Sequence, residues 1–379
     1  GITPESMDLS VMADKLDIGS ILSDNMFGDV SLNTRLSVTL PDKHSGRPLS
    51  LTLDSLSFNS LGLNGTDYRD IVIAGTLADN KADLRFLSRD PAFPVIFQGI
   101  ADLGQKFRPD RLRLYMDVPY ADLKSMNIIR KGTVSTAGFT LEADLRMAGN
   151  SILGNVFLDN IGYTDDNGHC HIDSLYIRSM LRENRHIITL MSPVLDIRYS
   201  STDSPARLPE RLKLALSTPS LRHILTVDTS VTDGNNGYYD FHLRTYDLSQ
   251  ICNIILPGLN IADSTTIDIH LDSSNLLSVK AGSSGVSMKN TKDKNTSFGN
   301  LRIEADNTGD RLTASVTSDR ISSGAITVDN TRLILAGKDS GFDMKLDFNN
   351  ADTTNVALSA GITLQRTPPG NIAADIALD

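Results

Sequence analysis

The feature that most constrains this chain is a two-residue hydrophobic period that returns along most of its length. In "DVSLNTRLSVTL", Val30, Leu32, Thr34, Leu36, Val38 and Leu40 fall on one side, and Ser31, Asn33, Arg35, Ser37 and Thr39 on the other. The same alternation groups Leu112, Leu114, Met116 and Val118, then Phe139, Leu141, Ala143 and Leu145, then Ile267, Ile269 and Leu271. It recurs at Leu301, Ile303 and Ala305, at Leu312, Ala314 and Val316, and at Phe342, Met344, Leu346 and Phe348. Successive side chains of a strand point to opposite faces, so each segment reads as a strand with one apolar and one wet face. Turn clusters such as "TDDNG" (164–168), "DNTGD" (306–310) and "GKDSG" (337–341) read as hairpin connections. No segment sustains a helical period. The expected fold is all-β, an array of antiparallel strands with a few short capped helical turns.

Internal repeats sharpen this reading. "LTLDSLSFNS" (51–60) superposes on "CHIDSLYIRS" (170–179). In the first copy Leu51 and Leu53 are followed by Leu56 and Phe58; in the second, Cys170 and Ile172 by Leu175 and Ile177. The apolar face changes phase at Asp-Ser each time, which is what one extra residue in a strand, a β-bulge, produces. A second repeated element superposes "LDIGSIL" (16–22), "ADLKSMNII" (121–129) and "YDLSQICNII" (246–255) on Asp17, Asp122 and Asp247. Each Asp is placed to cap a helical turn while the following apolar pair, Ile18 and Ile21, Leu123 and Met126, or Leu248 and Ile251, tucks onto the sheet. These marks divide one continuous array into repeats near 17–121, 122–246 and 247–379. Towards the C-terminus, "LRIEADNTGDRLTASV" (301–316) and "LILAGKDSGFDMKLDF" (333–348) each read as a hairpin. The Pro-bearing stretch "SSTDSPARLPERLK" (200–213) is the candidate break or hinge.

Chemistry-bearing residues are sparse. His169, Cys170, His171 and Asp173 form the one dense group of metal-type ligands. Yet the repeat aligns His169 with Ser50 and His171 with Thr52 on the wet face, places Cys170 on the apolar face, and matches Asp173 with Asp54. A His-x-His pair needs a further ligand to hold zinc, so the expectation is two solvated histidines and no metal or other cofactor. The seven histidines are scattered, and phosphate-loop, metalloprotease and nucleophile-elbow motifs are lacking; no catalytic residue is assigned. A net charge of −10 disfavours nucleic-acid partners and anionic bilayer surfaces. Trp is absent and aromatics make up 6% of residues, so stacking platforms are scarce. Two cysteines, Cys170 and Cys252, allow at most one bridge. No apolar run is long enough to span a membrane, and the chain is read as a piece excised from a longer protein.

One-sided strands must bury their apolar faces. A series of sandwiches, a solenoid with a packed interior and a trough holding a non-protein guest all write this alternating pattern.

The order of motifs resembles the periplasmic part of the TamB and AsmA-like family of Gram-negative bacteria. The pieces that carry the likeness are "ADLKSMNII" (121–129), "GFTLEADLRMAGNSILGNVFLDNIGY" (138–163), "CHIDSLYIRS" (170–179) and "DYRDIVIAGTLADNKADLRFLSRDP" (67–91). The resemblance implies a long sheet curled into an apolar trough (a β-taco), held in the periplasm by an inner-membrane anchor outside this chain. It implies phospholipid acyl chains as the guest, transport towards the outer membrane as the role, and a link to an outer-membrane barrel partner. On that expectation the trough is lined by Val30, Leu32, Leu36, Val38, Leu40, Leu51, Leu53, Leu112, Leu114, Met116, Val118, Phe139, Leu141, Leu145, Ile172, Ile267, Ile269 and Leu271. A scaffold that holds client strands at sheet edges for outer-membrane protein assembly is the alternative.

Overall fold

The computed structural model describes residues 5–24, 26–41, 48–149, 151–203, 207–221, 237–289, 295–308, 311–339, 341–350, 355–367 and 371–378. Among them the protein is all-β, with 23 strands in antiparallel pairing and three short α-helices. Its internal contacts divide it into two units, Gly1–Ser179 and Met180–Asp379.

The first unit holds β1 (Ser6–Asp17), β2 (Phe27–Thr39), β3 (Ser50–Leu63), β4 (Thr66–Tyr68), β5 (Ile71–Ala78), β6 (Lys81–Asp90), β7 (Phe93–Leu103), β8 (Pro109–Asp122), β9 (Ser135–Ala148), β10 (Ser151–Asp165) and β11 (Gly168–Arg182). Strands pair with their sequence neighbours, β4 and β5 both lying against β3. The ladder does not close on itself, because β1 pairs with β2 alone among the described strands.

The sheet is nonetheless curled. The Asn64 side-chain amide donates to the carbonyl of Asn127 (3.3 Å), that of Asn127 donates back to the Asn64 carbonyl (3.0 Å), and the Thr66 hydroxyl donates to the Ser125 carbonyl (2.8 Å). A flat sheet would hold the β4 and β8 positions about 14 Å apart, at ~4.8 Å per strand. The sheet therefore bends towards itself at this end, and the turn after β8 spans the gap. Beneath it Tyr68, Ile71, Val95, Val118, Ala121 and Met126 form a buried cluster.

The second unit holds β12 (Arg185–Met191), β13 (Leu195–Ser201), β14 (Tyr239–Thr245), β15 (Leu259–Ile261), β16 (Thr266–Leu271), β17 (Leu277–Lys289), β18 (Asn295–Thr308), β19 (Arg311–Ser323), β20 (Ile326–Gly337), β21 (Gly341–Asn350), β22 (Asn355–Thr367) and β23 (Asn371–Leu378). Pairing again follows the chain, with β14 and β16 side by side and β15 and β16 both against β17. Both C-terminal hairpins expected from the turn clusters are present, Ile303 opposite Val316 and Leu335 opposite Met344.

Helix α1 (Ile18–Leu22) is capped by Asp17, whereas α3 (Ser249–Ile255) starts after Leu248, so that Asp247 stands one residue before the cap position. Asp17 accepts from the Ser20 amide (2.9 Å), Asp122 from the Ser125 amide (2.9 Å) and Asp247 from the Ser249 amide (2.9 Å). The apolar pair behaves differently from copy to copy. Leu123 and Met126 pack into the core, whereas Ile21 is exposed. The reason is position, since α1 joins edge strand β1 to β2, and among the described residues no further strand pairs beyond β1. The stretch read as a break carries α2 (Leu208–Leu216), which lies on the apolar face of the second unit.

The first bulge is where the phase change put it. Against β2 the register slips between Arg35 and Leu36, and against β5 between Leu53 and Leu56, isolating Asp54 and Ser55. The second copy departs from expectation. β11 runs in unbroken register with β10 through Asp173 and Ser174, and the slip falls between β10 and β9 at Asp159–Gly162, next to Asn160 with φ +53°. Both β10 and β11 change phase at the same level, so their mutual register survives.

Candidate functional site

The inward-facing residues form rows that run across the strands. Directly opposed residues share a face, so a row can be followed from pair to pair. One runs Leu9, Leu36, Leu53, Gly75, Leu84, Gly99, Leu114, Ala143, Val156, Ile177. On one side of it runs a row from Leu56 through Ile73, Phe86, Phe97, Met116, Leu141 and Leu158 to Leu175. On the other side Val38, Leu51, Leu77, Ala82, Ala101, Leu112 and Leu145 continue the same surface. Glycine in these rows has a local cause: at Gly154, opposite Leu145, φ is +136°, and a Cβ would meet the Asp144 carbonyl oxygen at 2.0 Å.

This face is partly open. Leu84, flanked in its row by Gly75 and Gly99, is 44% exposed, and Leu9, on edge strand β1, is 46% exposed. Burial deepens towards the end spanned by the 122–129 turn, where Val118 and Ile71 are buried. The opposite face carries most of the charge, together with the exposed rings of Tyr115 and Phe157 and the exposed Ile96. There Arg111 grips Asp144 through two hydrogen bonds, of 2.9 and 2.5 Å, which hold the Asp144 carboxyl below its ordinary range. Exposed pairs of this kind each contribute about 0–1 kcal/mol.

Thirteen of the expected lining residues meet on the inward face of the first unit: Val30, Leu32, Leu36, Val38, Leu51, Leu53, Leu112, Leu114, Met116, Val118, Phe139, Leu141 and Leu145. Ile172 lies opposite Ile161 beside the buried Cys170. Leu40 follows the last residue of β2 and is exposed. In the second unit, Ile267 joins the row Leu190, Ile197, Leu243, Ile267, Ala281, Ile303, Val316, Leu333, Leu346, Leu358. Ile269 and Leu271 lie where α2 covers the sheet, and Leu271 is 0% exposed.

Sequence reasoning left out Met7, Leu9 and Val11 of β1 and the rows through β5, β6 and β7. The alternation is present in "MDLSV" and "DLRFL" and would have found them.

His169 and His171 stand side by side on the exposed face, ring centroids 6.4 Å apart and nearly parallel. His169 Nδ1 is 2.8 Å from the Thr164 hydroxyl, and His171 Nε2 is 3.1 Å from the Asp173 carboxylate. Among the described residues no three metal-type ligands converge. Cys170 and Cys252 are both free and buried, and burial pushes both thiols up. No described helix is long and apolar enough to cross a membrane.

The fold therefore defines a class: an open, curled, antiparallel sheet whose apolar rows run unbroken from strand to strand. Comparison with protein-family models, with curated proteins and with solved structures finds no match for this chain.

Proposed function

We propose that this chain is a segment of a periplasmic, lipid-conducting protein that shields phospholipid acyl chains on the inward face of its sheet. The motif likeness to the TamB and AsmA-like family supports this reading. The observation that carries it is the first unit's continuous apolar rows, left half-exposed at Leu9 and Leu84, on a sheet with a charged opposite face. A 16-carbon chain leaving a bilayer needs on the order of 12 kcal/mol of shelter, at ~0.8 kcal/mol per CH₂. An even lining supplies that shelter without a deep minimum at one spot, so a guest can slide.

The test compares a charge on each face. Leu141→Asp is expected to lower uptake of a fluorescent phospholipid from phosphatidylcholine–phosphatidylglycerol vesicles by roughly five-fold or more, the equivalent of ~1 kcal/mol. Glu142→Lys, one residue away on the wet face, is expected to leave it within about two-fold. Equal effects in two folded variants would end the lipid reading.

A second reading is favoured by β1, whose outer edge is unpaired among the described residues and whose Met7, Leu9 and Val11 are exposed. Such an edge can accept a client strand by β-augmentation. Capture of outer-membrane strands at β1, with no lipid on the inward face, would favour a scaffold for outer-membrane protein assembly.

A further inference from the structure

Helix α2 does in the second unit what a lipid tail is proposed to do in the first. Leu208, Leu212 and Leu216 recur every fourth residue on one side of the helix, and with Ala215 they cover Leu271 and Phe241 of the sheet. The result is a dry contact: Leu271 is 0% exposed, against 44% for Leu84 on the uncovered inward face of the first unit.

The helix is fastened by two polar clamps. Nη2 of Arg211 donates to the carbonyls of Gly237 (3.2 Å) and Asp272 (2.9 Å), and the side-chain amide of Asn307 donates to those of Ala215 (2.5 Å) and Asn275 (2.8 Å). The first clamp is incomplete. Arg211 is only 3% exposed, yet its Nε and Nη1 have no hydrogen-bond partner among the described residues. The nearby carboxylate of Asp203 is engaged by Arg207 at 3.2 Å. A buried guanidinium with unmet donors carries a desolvation cost that water would remove if the helix lifted. Apolar packing and the clamp bonds thus hold α2 down, while the unmet donors of Arg211 favour release.

We propose that α2 is an internal strap that competes with acyl chains for the apolar face of the second unit, so that lipid reaches this face only when the helix leaves. This rests on the acyl-shielding reading above.

The test uses the full chain carrying photoreactive p-benzoylphenylalanine at either Leu84 or Phe241, mixed with phosphatidylcholine–phosphatidylglycerol vesicles containing a labelled phospholipid. In the otherwise native chain, crosslinking is expected at position 84 and only at background level at 241. Asn307→Ala, which removes the second clamp together with the bond that the Asn307 side chain accepts from the Leu277 amide and keeps the leucines of α2, is expected to raise crosslinking at 241 several-fold and leave position 84 unchanged. Strong labelling at 241 without that substitution, or none with it, overturns the strap while sparing the conduit. No labelling at 84 overturns the conduit and the strap with it. Hydrogen exchange of the α2 amides provides a second readout that needs no crosslinker. Vesicles should speed exchange across 208–216 in the Asn307→Ala chain and leave it unchanged in the unsubstituted chain, and unchanged exchange in Asn307→Ala would refute displacement.

Discussion

Asp17, Asp122 and Asp247 show how much a single residue type can announce. Each accepts a backbone amide of the turn it precedes, and these bonds, together with the Ser20, Ser125 or Ser249 side-chain bond, hold each carboxyl below its ordinary range. Asp122→Ala should cost about 1 kcal/mol, the usual worth of such a cap, read as a lowered urea midpoint. The pH dependence has a fixed sign. Because the folded-state pKa is depressed, the contribution is complete above the unfolded value near 4. It fades as pH falls through the lower folded value, so the stabilities of Asp122→Ala and the parent should draw together as the solution is acidified past the unfolded value. The capping role was legible because it needs only the Asp and the next three residues. The fate of Ile21 was not, because its burial depends on a neighbouring strand that the local sequence does not name.

Among the elements, the bulge at Asp54–Ser55 and helix α2 mark opposite ends of legibility. The bulge is written as a phase change in a period of two, and one residue out of step shows clearly. Deleting Asp54 should turn Leu51 and Leu53 to the wet face relative to Leu56 and Phe58, costing at least about 2 kcal/mol. Asp54→Ser should stay within about 0.5 kcal/mol, and chemical denaturation of the two variants separates these outcomes. Helix α2 was hidden for physical reasons. "LPERLKLAL" makes about two and a half turns, too short for a helical period to rise above chance. Its proline reads as a breaker, although in the first turn of a helix proline costs nothing. The strongest evidence for the helix is the complementary surface formed by Tyr199, Tyr239, Leu271 and Leu277, which come from four different strands.

At the scale of the whole molecule, pairing of sequence neighbours carries apolar rows from strand to strand within each unit, open in the first and covered by α2 over part of the second. If that lining shelters acyl chains, no position should dominate binding. Native mass spectrometry of the purified chain is expected to show phospholipid in several stoichiometries. A single saturating stoichiometry would point to one discrete pocket instead.

The sequence by itself determined the strands, their apolar and wet faces, the hairpins and the caps. Each of these is fixed by residues a few positions apart, and the two-residue period is imposed by the backbone. Only the tertiary structure decided which apolar faces stay open and which are covered. In the first unit that depended on the sheet curling until Asn64 met Asn127; in the second it depended on a short helix finding its place on the sheet. Both are contacts between segments far apart in the chain, and alternation is the same whether the face it creates meets water, protein or lipid.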